Sequence, residues 1–67
     1  METESLEDLK ARGKKLSARA MNCKMELHDL SEELPVNWEK ILDVAQRTHE
    51  AFAALQDVRA RITQAGG

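Results

Sequence analysis

From residue 6 to residue 34 an apolar or small side chain recurs at alternating steps of three and four: Leu6, Leu9, Gly13, Leu16, Ala20, Cys23, Leu27, Leu30 and Leu34. That rhythm keeps one stripe of an α-helix turned toward a partner, whereas a strand would need a period of two. Leu6, Gly13, Ala20, Leu27 and Leu34 take the a positions of the heptad, and Leu9, Leu16, Cys23 and Leu30 the d positions. The chain is therefore committed to helix packing through its first half.

The ends of this helix are written in its flanks. Thr3 or Ser5 can cap the start, and Glu and Asp in the first turn complement the helix dipole. Glu32-Glu33-Leu34-Pro35 closes it, because proline cannot extend the hydrogen-bond ladder and biases Leu34 away from helical backbone. Such a helix is about 45 Å long. A second helix begins at Asn37 as N-cap, or with Pro35 in its first turn. Its apolar set contains two overlapping seams, 38-41-45-48-52-55 and 41-44-48-51-55-58-62. The sequence thus predicts an all-α, two-helix antiparallel hairpin, one domain over 1–67, with helices at 4–33 and 37–64 and a turn at 34–37.

Folding at Pro35 sets Leu30 near Ile41, Cys23 near Thr48, Leu16 near Leu55 and Leu9 near Ile62. Leu9, Leu16, Leu27, Leu30, Ile41, Leu55 and Ile62 are the expected core of the hairpin or bundle. An apolar face as wide as that of the second helix touches more than one neighbour. A homodimer forming a four-helix bundle, or docking on another protein, would cover it. Small residues at Gly13, Ala20, Cys23, Ala45, Thr48 and Ala51 permit close helix approach. Gly13 costs a helix interior about 1 kcal/mol, which either reflects tight packing or merely softens the helix.

Size points the same way. Chains near 67 residues bury a modest share of their surface and usually need a supplement. One cysteine excludes an internal disulfide, and its free thiol suits a reducing cytosol. No apolar run approaches the roughly 20 residues that span a bilayer, and the start, METESLEDL, is acidic where a signal peptide is basic. A cytoplasmic protein without a membrane segment is expected.

Few side chains suggest chemistry. His28 and Glu32 stand four apart on one helix face, within reach of a shared metal or hydrogen bond, but two ligands make a weak metal site. His49 reads as a surface histidine. Cys23 reads as a small core hydrophobe, with no base evidently placed to activate it. Neither a phosphate loop nor a nucleophile–base constellation is present, so no catalysis and no cofactor are expected. Lys10, Arg12, Lys14, Lys15, Arg19 and Lys24 form a basic block that raises nucleic-acid binding. Yet that block surrounds the heptad stripe and lacks an aromatic for stacking, which argues against RNA. An RNA-binding helical dimer and a small metal carrier stand as the alternatives to a protein-binding role.

The string Lys24-Met25-Glu26-Leu27-His28-Asp29-Leu30-Ser31-Glu32-Glu33-Leu34-Pro35, followed by Trp38, Ile41, Val44-Ala45, Thr48 and Ala51-Phe52, resembles the small Rop-like hairpin proteins encoded in nitrogen-fixation gene clusters. The resemblance covers about residues 16 to 55 and rests on a K-M-x-L-H-D-L-x-E-x-L-P core. It implies hairpins that pair into four-helix bundles, and a role beside nitrogenase or its maturation machinery.

Within that string, His28, Asp29, Glu32 and Glu33 are expected, with Trp38, to contact a protein partner. Acids at a helix C-terminus oppose the dipole, so their presence invites a functional reading. Trp38 has two readings: a lid on the core beneath Leu34 and Pro35, or an exposed anchor of the kind enriched at binding hot spots.

Overall fold

The structure, a computed structural model, describes residues 5–66. Helix α1 runs Leu6–Glu33. A turn and one 3-10 turn, Trp38–Lys40, lead into α2, Ile41–Gln64. The two helices lie antiparallel, and the Cα trace measures 46 × 18 × 14 Å. Among the described residues there is no strand, and no helix is long and apolar enough to cross a membrane.

Ser5 caps α1: its hydroxyl oxygen accepts from the Asp8 amide at 3.1 Å, with Glu7 and Asp8 in the first turn. Thr3, the other candidate cap, lies outside the described residues. The second helix starts differently from the expectation. Asn37 adopts a left-handed backbone, φ 64°, and makes no side-chain capping bond. Its Nδ2 instead donates back to Glu33 Oε1 at 3.1 Å. Regular α-helix begins only at Ile41, because residues 38–40 wind more tightly as they leave the bend.

The core is a thin line of small and medium side chains. Leu9, Ala20, Leu30, Val44, Ala51, Leu55 and Val58 are buried. Ala20, Ala51 and Leu55 form its centre, with Leu16 and Cys23 packed against them. On α2 the helical repeat places Val44, Thr48, Ala51, Leu55, Val58 and Ile62 within about 40° of one line, and each is buried or half-buried. Of the two overlapping seams, α1 takes this one. The register agrees with folding at Pro35: Thr48 Oγ1 donates to the Cys23 carbonyl at 3.3 Å, and also to Val44 at 2.8 Å.

Four expected core positions stay partly outside the hairpin. Leu16, Leu27 and Ile62 are half-buried, and Ile41 keeps 37% of its surface exposed. Ile41 lies about 60° off the buried line, on the flank that also carries Ala45 and Phe52. A two-helix seam has no second layer to cover that flank. Gly13 is not crowded: a Cβ there would meet Val58 and Ile62 side chains at 3.6 Å, an ordinary contact distance.

Candidate functional site

The bend is where α1 stops with nothing to balance its dipole. Its last turn carries Glu32 and Glu33 and no basic residue. The turn itself is held by backbone bonds, Val36 N–H to the Glu33 carbonyl at 2.9 Å and Lys40 N–H to the Asn37 carbonyl at 3.0 Å. Val36 and Trp38 are thereby presented outward from a fixed frame.

Trp38 is 63% exposed, so the first of its two readings, a lid over the core, is corrected. The 3-10 turn carries its ring away from the seam instead of beneath Leu34. Val36 at 62% and Leu42 at 82% are comparably open. The acids predicted to act with Trp38 are solvent-facing. His28 connects two of them, with Nδ1 3.7 Å from Asp29 Oδ1 and Nε2 3.5 Å from Glu32 Oε2. These distances suit weak electrostatic contacts. Among the described residues no group of three or more His, Cys, Asp or Glu side chains is arranged to hold a metal.

Between the middle of the rod and the bend lies a network that sequence reasoning did not single out. Arg47 donates from Nη1 and Nη2 to the two carboxylate oxygens of Glu26, each at 2.9 Å, and from Nε to Asp43 at 3.3 Å. The bonded guanidinium holds the Glu26 carboxyl below its ordinary range, and Glu26 in turn keeps Arg47 firmly protonated. The four-residue spacing of Asp43 and Arg47 was a legible signal. Glu26 required the antiparallel register to bring it across.

An open groove of about 220 Å³ runs beside this network, over Leu16, Cys23, Ala51 and Ala54 and between Arg19, Arg47 and Glu50. It is smaller than the roughly 300–1,000 Å³ typical of small-molecule sites. Cys23 is a free, half-buried thiol on its floor. His49 is exposed and on the other helix from His28.

Comparison with known proteins adds identity to this geometry. The chain is 54% identical over 59 residues to a UPF0437 protein of Azorhizobium caulinodans, covering 88% of this chain and 86% of the relative. It is 50% identical over 42 residues to a Frankia alni protein described as "UPF0437 protein in nifX-nifW intergenic region", covering 63% of this chain and 51% of that one. A solution NMR structure from a structural genomics consortium matches with a TM-score of 0.84 and 44% identity, over 94% of this chain and 89% of the other. The sequence model described as Rop-like matches residues 4–66. This chain therefore belongs to the Rop-like helical-hairpin family of UPF0437 proteins.

Proposed function

We propose that this chain is a non-enzymatic, cytoplasmic accessory protein of nitrogen fixation that works by binding nitrogenase or its maturation machinery. The observation that carries a binding role is uncovered apolar surface. Val36, Trp38, Ile41, Leu42 and Phe52 each keep between 37% and 82% of their surface exposed. The link to nitrogen fixation is supported by the Frankia alni relative, which lies in the nifX-nifW intergenic region.

Part of this apolar surface fits a second copy. Ile41, Ala45 and Phe52 lie on the flank away from the Glu26–Arg47–Asp43 network, and two hairpins joined there form a four-helix bundle. The binding role is tested by titrating the untagged chain against purified nitrogenase component proteins and maturation scaffolds, with complex mass measured by light scattering. A stoichiometric complex is expected with at least one of them. Absence of any complex across that panel would overturn the reading.

A further inference from the structure

We propose that the bend end is the docking surface, and that its occupant is a protein cleft with an apolar floor and a rim of lysine and arginine; this rests on the accessory-protein reading above. Val36, Trp38 and Leu42 are the three most exposed large apolar side chains among the described residues, and they fall within seven positions of one another. Leu42 lies about 160° around α2 from the line that faces α1. A second hairpin laid against the Ile41–Phe52 flank leaves it open. These three side chains are therefore left for an occupant other than a second copy.

Charge identifies the chemistry of that occupant. Outside the Glu26–Arg47–Asp43 network, residues 29–40 hold four acids and one lysine, a net −3, while the whole chain is only −2. Asp29 and Glu32 remain 71% and 70% exposed despite His28 between them. An acidic surface repels nucleic acid and anionic lipid headgroups, and attracts a basic protein rim. Because the turn is already fixed by its backbone bonds, docking Trp38 and Val36 orders little that is not ordered in the free hairpin.

The full chain carries its own reporter, since Trp38 is the only tryptophan. Labelled with 5-fluorotryptophan, it gives one ¹⁹F resonance to follow as purified nitrogenase component proteins and maturation scaffolds are added. Affinities are measured in parallel for Trp38→Ala, for Glu32→Lys with Glu33→Lys, and for Lys14→Glu with Lys15→Glu, each first checked for helicity. The resonance should shift or broaden, and added salt should weaken binding. Each bend variant should raise Kd by about tenfold or more, with the Lys14/Lys15 variant near wild type. Wild-type binding with an unmoved resonance and unaffected bend variants would overturn the docking surface while leaving the accessory reading intact. Equal loss in the Lys14/Lys15 variant would also overturn it, in favour of the basic middle of α1. A resonance that moves with the chain's own concentration alone would make the occupant a second copy. If wild type binds no member of the panel, both readings fall.

Discussion

Arg47 clasps Glu26 across the hairpin through two parallel bonds of 2.9 Å, the one place where a charged pair ties α1 to α2 among the ion pairs described. Asp43, one turn before Arg47, steadies the same guanidinium at 3.2 Å. The pair lies on the flank where no second copy is proposed.

That pair gives stability a pH dependence with a definite sign. The folded Glu26 carboxyl titrates below its ordinary value because Arg47 bonds its charged form. A depressed folded pKa contributes stability above the unfolded value, and that contribution is lost as pH falls through the folded one. Thermal melts from pH 6 down to pH 3 should show wild type losing stability more steeply than Glu26→Gln. Parallel curves would mean that solvent screens the pair fully, as it does for many exposed ion pairs.

Gly13→Ala should stabilise the hairpin by about 1 kcal/mol, because alanine is the better helix former and its Cβ would sit at contact distance from Val58 and Ile62. In a chain of this size that is a rise of about 4–8 °C in Tm. A fall in Tm that appears only at high protein concentration would show a neighbouring copy pressing on Gly13.

Leu55→Ala removes the largest side chain of the central cluster, where Leu55 is 4% exposed beside Ala20 and Ala51. The lost burial and the cavity together should cost about 2–5 kcal/mol. So thin a core has little reserve, and urea unfolding should show a large drop in midpoint. A loss under 1 kcal/mol would place the true core elsewhere.

Phe52→Glu tests the proposed pairing of hairpins. Sedimentation equilibrium should show a dimer for wild type, a monomer for Phe52→Glu, and a dimer for Ala54→Glu on the groove side. A wild-type monomer at tens of micromolar would remove the four-helix bundle and leave the Ile41–Phe52 flank to another protein.

Much of this fold could be read along the chain. The unbroken three-four rhythm from Leu6 to Leu34 requires one helix with one buried stripe, and Pro35 must end it. The pairing of Cys23 with Thr48 then follows from chain geometry alone. The candidate site was legible as chemistry but not as surface. Acids against a helix dipole are visible in sequence, whereas the exposure of Trp38 is not.

What the sequence by itself determined is the helices, their antiparallel order and the stripe that α1 buries, because local periodicity and a proline act over a few residues. Which of two overlapping stripes α2 buries was decided only by tertiary structure. Two helices share a single line of contact, and α1 offers small residues at Gly13 and Ala20 into which Val58, Ile62 and Ala51 fit. Choosing that line turned Phe52 and Ile41 to one flank and left Leu42 facing solvent. The bend was settled in the same way: the left-handed backbone at Asn37 and the tight 3-10 turn after it send Trp38 outward, a direction that no periodicity encodes.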